Sequence, residues 1–257
     1  MHAHTGRLAP SAANAAAVAA LSVYECVTDG PRVAIPRPEV QLVARFDATA
    51  GGSVDLHVLG VRETAHRKLL RRGQRAVTAR LQLGAQQAVL GVPASAVAGR
   101  VVALEALWGE GTTRRLLDRL AAASSMAEAA MLLESAIAER FRLAASQRGH
   151  LELALDAADR LASANVTAVA ADLGVSERHL RRVFREAVGV SPKAFAKLAR
   201  FRRAVRAARV QRPTSWASIA ALSGYYDQAH LIAEFRAIAG VTPRALLVEL
   251  RDAPYLD

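Results

Sequence analysis

Leu180-Arg-Arg-Val-Phe184-Arg-Glu-Ala-Val-Gly189-Val-Ser-Pro192 and Leu231-Ile-Ala-Glu-Phe235-Arg-Ala-Ile-Ala-Gly240-Val-Thr-Pro243 are two copies of one pattern, offset by 51 residues. Upstream, Val169-Ala-Ala171 answers Ile219-Ala-Ala221 at an offset of 50, so the copies differ in length by one residue. That residue falls in a turn, where insertions are tolerated. Each copy reads as a short helix, a turn at Gly174 or Gly224, a second helix, a Gly stop and a Ser/Thr-Pro start. This is the grammar of a helix-turn-helix unit. Small Ala residues at 170, 171, 220 and 221 let the two helices approach closely, and Ser176 and Asp227 are placed to cap the second helix of each unit.

In the first unit Leu180, Val183 and Phe184 take the i, i+3, i+4 face, which leaves Arg178, Arg181, Arg182 and Arg185 on or beside the outward one. From Ser176 to Arg212 there are twelve Lys/Arg against two acids, Glu177 and Glu186. An Arg-rich helix is ordinarily a solvated face. On the second helix of a helix-turn-helix unit, however, guanidinium forks meet base edges and phosphates. The expected DNA-binding residues of this unit are Ser176, Arg178, His179, Arg181, Arg182 and Arg185. The second reading helix, from Asp227 to Arg236, is nearly neutral; Gln228 and His230 are its hydrogen-bonding candidates and Arg236 its phosphate candidate, while Glu234 either repels DNA or orients Arg236. Lys193 to Arg209 lacks Gly and Pro and carries Phe195, Leu198, Phe201 and Val205 at helical spacing, which predicts one continuous connector. Pro213 ends it, and Trp216 with Ile219 anchors the second core.

Working outward, β-branched residues alternate with polar ones in Val40 to Val43, Val54 to Leu59 and Val77 to Leu81, which predicts strands. Gly51-Gly52 is a hairpin turn, and Pro31, Pro36 and Pro38 confine their stretch to turns or sheet edges. Gly84 to Pro93 reads equally as a short helix or a buried turn. After Gly111 the period becomes helical to the end of the chain, and Gln147-Arg-Gly149 interrupts two amphipathic runs. The fold class expected is therefore α+β. Residues 1–25 form a flexible extension, 26–148 a β-rich sensor or dimerisation domain with a helical end, and 149–257 an all-α domain of two helix-turn-helix units and a connector.

Lys and Arg outnumber Asp and Glu by 34 to 23, which fits an anionic partner. Cys26 is the only cysteine, so an intrachain disulfide is impossible and a reducing cytoplasm fits. No run of apolar residues is long enough to span a membrane. Gly109-Glu-Gly111 lacks the Gly-Lys-Ser/Thr of a phosphate loop, no Gly-x-Ser-x-Gly occurs, and His57 and His66 have no ligand partner at metal-site spacing. An enzyme, a metal and a cofactor are not expected. Arg62, Arg67, Lys68, Arg71, Arg72, Arg75 and Arg80 form a second basic cluster, read as a solvated loop ahead of a flanking-DNA or acidic-effector site.

The stretch Gly224 to Pro243 resembles the signature of AraC/XylS-type regulators: glycine, aromatic, Asp-Gln, the Phe-Arg pair and Gly-x-Thr-Pro sit at that family's spacings. With the first unit the resemblance runs from Val166 to Leu247. It implies an activator or repressor whose C-terminal module binds double-stranded promoter DNA and whose N-terminal domain senses a small-molecule effector or forms a homodimer, with RNA polymerase as a further partner. The family's base-reading positions fall on Arg178, Arg181 and Arg182, and then on Gln228, Ala229, His230, Ile232 and Ala233. Ala229, Ile232 and Ala233 have no side-chain hydrogen bond to offer. The stretch from Val58 through Gly109 is more loosely similar to N-terminal domains of a regulator subgroup. The other class of function is a sensor whose helical repeat contacts protein, and steep salt dependence separates DNA binding from it.

Overall fold

A computed structural model describes residues 3–47, 53–144, 149–161, 164–210 and 215–251. Among the described residues the N-terminal part holds eight strands: β1 (Ala3–Leu8), β2 (Val18–Cys26), β3 (Gly30–Ala34), β4 (Gln41–Phe46), β5 (Val54–Leu59), β6 (His66–Leu70), β7 (Arg75–Leu81) and β8 (Val101–Ala103). Six form an antiparallel sheet in the order β1-β2-β7-β4-β5-β8, while β3 and β6 pair as a separate two-stranded ribbon. Leu42, Ala44, Leu56, Val58, Val77, Ala79 and Leu81 point to the core side of the sheet, as the period-2 pattern requires. Pro31 is accommodated because, among the described residues, β3 has a strand partner on one side only.

Helices α1 (Gln86–Leu90), α2 (Ala94–Val97), α3 (Glu105–Trp108), α4 (Glu110–Ala121) and α5 (Met126–Leu143) complete this part. The Gly84 to Pro93 stretch is thus a helix, ended by Gly91 at φ 78°. Helix α5 lies against β2 and β7. It begins at Ser125, whose Oγ accepts the Glu128 N–H.

Two expectations fail here. Within the expected extension, 1–25, the described residues 3–25 are ordered into the sheet: β2 sits between β1 and β7, with Val18, Ala20 and Leu21 buried. Alanine has little intrinsic strand preference, but a narrow side chain is what the space under a packed helix accepts, and burial overrides propensity. Glu134 of α5 fastens this segment by accepting the Ser11 N–H at 2.7 Å and the Asn14 amide at 3.1 Å. The second basic cluster is not a solvated loop either, because Arg67 and Lys68 belong to β6 and Arg75 and Arg80 to β7. The Gly51-Gly52 turn, the 148 boundary and Pro213 lie outside the described residues, although β4 and β5 pair antiparallel as a hairpin requires.

The chain continues as α6 (Gly149–Arg160), α7 (Val166–Asp172), α8 (Glu177–Val188), α9 (Pro192–Val210), α10 (Trp216–Ser223), α11 (Gln228–Ala239) and α12 (Pro243–Arg251). Two cores organise the molecule. The larger begins under the sheet and runs through α1 and α5 into α6, α7 and α8, ending at Phe195. The smaller joins Phe201 and Val205 of α9 to α10, α11 and α12, and it includes Val33 and Ile35 from β3 and its continuation. The two helix-turn-helix units are therefore seated on different parts of the N-terminal region.

Candidate nucleic-acid interface

Helices α7 and α8 form the first unit. Asn165 caps α7 by accepting the Ala168 N–H, and Ser176 caps α8 by accepting the His179 N–H at 3.2 Å. Leu180, Val183, Phe184 and Val188 are buried, and Phe184 meets Phe195 of α9 edge-on at 5.3 Å. Arg178, Arg181, Arg182 and Arg185 are exposed, with side chains 57% and 54% accessible at Arg181 and Arg182. Those two are held along the helix by ion pairs one turn away, Arg181 to Glu177 and Arg182 to Glu186 at 3.4 Å. His179 Nδ1 lies 3.4 Å from Arg182 Nη2. Such exposed pairs are weak and exchange readily for a phosphate. Ser176 Oγ is the acceptor of the cap, and its O–H is left to donate on the exposed side.

Helix α9 is continuous over 19 residues, about 28 Å at the usual rise. Beyond it, Asp227 caps α11 by accepting the His230 N–H at 2.7 Å. Leu231, Phe235 and Ile238 are buried, and Phe235 packs on Phe201 at 4.7 Å and on Trp216 at 6.5 Å. Gln228, Ala229, His230, Ala233 and Arg236 are exposed on the other side.

Glu234 does not face outward to repel DNA or orient Arg236. It is buried, accepting from Arg200 Nη2 at 3.0 Å and from the Tyr225 hydroxyl at 2.8 Å. Burial, with the neighbouring Glu234 carboxylate, pushes the Tyr225 hydroxyl far above its ordinary range, so it stays protonated and donating. Tyr226, by contrast, is 93% exposed immediately before the Asp227 cap, with exposed Leu222 nearby in sequence. Sequence reasoning passed over it, although an aromatic preceding an N-cap aspartate was the available signal.

Sequence reasoning also missed how the N-terminal part grips the second unit. Arg67 of β6 donates to the Ala239 carbonyl at 2.9 Å and to both oxygens of Glu249, and the Ala65 N–H donates to the Ile238 carbonyl at 2.8 Å. These bonds occupy carbonyls at the C-terminal end of α11 that the helix leaves without partners. Glu39 approaches Arg202 of α9 at 3.5 Å.

Between the second face of the sheet and the β3-β6 ribbon lies a cavity of about 160 Å³, lined on one side by Val43, Arg45, Leu59 and Thr78 and on the other by Arg32, His66, Lys68 and Leu70, with Leu250 of α12 also in the lining. Burial, reinforced by Arg45 and Arg62, holds the Lys68 ammonium below the ordinary lysine range. His57 is buried on this face with Nδ1 3.2 Å from Asp55 Oδ2; burial and then Arg45 lower its pKa against the opposing pull of Asp55. Among the described residues no group of three His, Cys, Asp or Glu side chains is placed to hold a metal ion, and no helix is long and apolar enough to cross a membrane.

Two capped helix pairs, each ending in a glycine stop and joined by one rod, make up a helix-turn-helix domain. Residues 169–248 match the family model described as "Helix-turn-helix domain", so the resemblance read from Gly224 to Pro243 is met. Among solved structures, ToxT from Vibrio cholerae aligns at 10% identity over 98% of this chain and 100% of that one, with a TM-score of 0.47. Wild-type ToxT from Vibrio cholerae strain SCE256 with unsaturated fatty acid bound aligns at 10% identity over 91% of this chain and 96% of that one, with a TM-score of 0.46. ToxT from Vibrio cholerae O395 bound to (E)-4-(8-methylnaphthalen-1-yl)but-3-enoic acid gives 10% identity, coverage of 97% and 100%, and a TM-score of 0.46. No curated protein matches the chain in sequence.

Proposed function

We propose that this protein is a sequence-specific transcription regulator that places α8 and α11 in adjacent major grooves of promoter DNA. The observation that carries the reading is the exposed arginine stripe of α8, raised on a capped, well-packed helix at one end of a continuous connector. A rod of about 28 Å is of the same order as the roughly 34 Å groove repeat, which supports two units set into adjacent grooves. Arg178, Arg181 and Arg182 read base edges and neutralise phosphates from α8, with His179 and Arg185 beside them; Gln228, His230 and Arg236 serve α11. The part before residue 145 acts as the sensor: it senses a small-molecule effector in its cavity, and the regulator meets RNA polymerase and a second copy of itself at the promoter.

The test is a mobility shift on fragments that the wild-type protein enriches from genomic DNA. Replacing Arg181 and Arg182 together by Ala should abolish the shift while the circular dichroism spectrum stays unchanged, and affinity should fall steeply with added salt. Unchanged affinity in the double variant would remove the assigned roles, and salt-independent binding would favour an apolar protein partner.

A further inference from the structure

The two units carry a histidine at the same place and support it differently. Ser176 accepts the His179 N–H and, 51 residues on, Asp227 accepts the His230 N–H, so both histidines stand in the first turn of their second helix. That turn is the part of a reading helix that reaches base edges. In the first unit His179 Nδ1 lies 3.4 Å from Arg182 Nη2, a long exposed side chain also paired with Glu186. In the second unit Ala233 stands where Arg182 does, and the histidine meets a ring instead. His230 packs edge-on against Tyr225, with centroids 5.3 Å apart and planes at 85°. The counterpart of Tyr225 is Val175, since each donates its N–H back across the turn at 3.0 Å, to the Ala220 and Ala170 carbonyls. Valine offers no such flat surface.

Tyr225 is itself held at both ends. Its ring is buried, and its hydroxyl donates to the buried Glu234 at 2.8 Å. Arg200 donates to the same carboxylate at 3.0 Å and lies over the Tyr225 ring, 5.5 Å from its centroid. Burial, a hydrogen bond and a cation together leave the ring one orientation, so the imidazole leans on a fixed wall. His230 is exposed, yet its conformation is restricted before any ligand arrives. Restriction of that kind lowers the ordering cost of binding, and it prevents the side chain from following a misplaced partner. Ala229, Ile232 and Ala233 bring no side-chain hydrogen bond, so discrimination along α11 falls to few groups.

We propose that Tyr225 is a positioning residue that presents the His230 imidazole to a single base pair, and that His230, so held, sets the base preference of the second unit. The proposal rests on the reading of α11 as a groove-binding helix and names the side chain that discriminates and the one that aims it. The base recognised is guanine, whose N7 and O6 are adjacent acceptors for an imidazole N–H, whereas adenine puts an amino donor beside its N7. The two units then divide the work. Arginines on α8 supply charge, which every sequence satisfies, and the braced histidine on α11 supplies a choice between bases.

The experiment selects bound fragments with the full chain, then titrates the selected site and its single-base variants. Wild type should prefer guanine at one position by about tenfold, and His230→Ala should flatten that position alone. Tyr225→Leu, which stays apolar but removes the ring, should cut the same preference to under about threefold, while Tyr225→Phe keeps it. Combining Tyr225→Leu with His230→Ala should flatten the position no further than His230→Ala does, because the two residues act through one contact. The salt dependence of Tyr225→Leu should match wild type, since no phosphate contact is removed. Magnetic resonance on the unaltered protein should show the two rings in through-space contact both free and on DNA, whether or not the leucine variant folds. A His230→Ala profile identical to wild type overturns the proposal. So does a Tyr225→Leu variant that weakens all sites equally and keeps the preference, or a pair of rings that part on DNA. Those outcomes leave the Arg181 and Arg182 test standing, whereas a wild-type chain that binds no DNA removes the groove-binding reading and this proposal together.

Discussion

Arg67 meets Glu249 across the boundary between ribbon and last helix in a two-pronged pair, Nε to Oε2 at 3.0 Å and Nη2 to Oε1 at 3.1 Å, with the Ala239 carbonyl accepting a further bond at 2.9 Å. Both side chains are a third or more accessible, so solvent weakens the pair. Arg67→Ala should cost under about 1 kcal/mol of global stability. Its visible effect should be local: amide exchange at the end of α11 and in α12 should speed up severalfold, and protection equal to wild type would show that the clamp is idle.

Glu234 is a different case, since it is buried and serves two partners, Arg200 and Tyr225. Glu234→Ala strands both donors and should lower unfolding free energy by about 3 kcal/mol, the low end for breaking a buried pair because Arg200 is partly exposed. Glu234→Gln, which still accepts from Tyr225, should cost less. Denaturant titration measures both, and a loss under about 1 kcal/mol for the alanine variant would contradict the arrangement.

Two helix stops permit a matched comparison. Gly189 (φ 92°) and Gly240 (φ 73°) both adopt the left-handed conformation, which costs a side-chain-bearing residue about 1 kcal/mol or more. A Cβ at 189 would also stand 3.1 Å from the Ala94 carbonyl oxygen, whereas at 240 the nearest atom is the flexible Arg67 Nη1 at 3.8 Å. Gly189→Ala should therefore lower the melting temperature more than Gly240→Ala; the reverse order would mean that α8 does not press on α2.

The helix-turn-helix repeat was legible because it is local: caps, glycine stops and apolar spacing lie within a dozen residues of one another, and each reports on its own helix. The three strands read from alternation were legible for the same reason. What escaped was set by distant partners. Glu234 looked like a surface acid until Arg200 and Tyr225 closed around it, and Arg67 looked solvated because Glu249 lies 182 positions away. Val18 to Leu21 was hidden by its alanines, whose burial depends on α5, a helix more than a hundred residues later.

His57 links stability to acidity. Burial, then Arg45, lowers its folded pKa, so between that value and the unfolded one of about 6.5 the unfolded chain binds more protons. The associated stability is intact above about pH 6.5 and is lost as pH falls through the folded pKa. Unfolding free energy at pH 5 should be lower than at pH 8, and His57→Asn should shrink that difference. An identical pH profile in the variant would show that His57 does not contribute.

The β3 segment supplies Val33 and Ile35 to the same small core that seats α11 and α12. It follows that the N-terminal and C-terminal parts are not interchangeable cassettes in this chain. A chimera that grafts a foreign N-terminal part onto the C-terminal helices would leave a hole where Val33 and Ile35 had been, unless the donor brought an equivalent ribbon, and exchange of parts with other proteins is constrained to pieces cut on the far side of that ribbon.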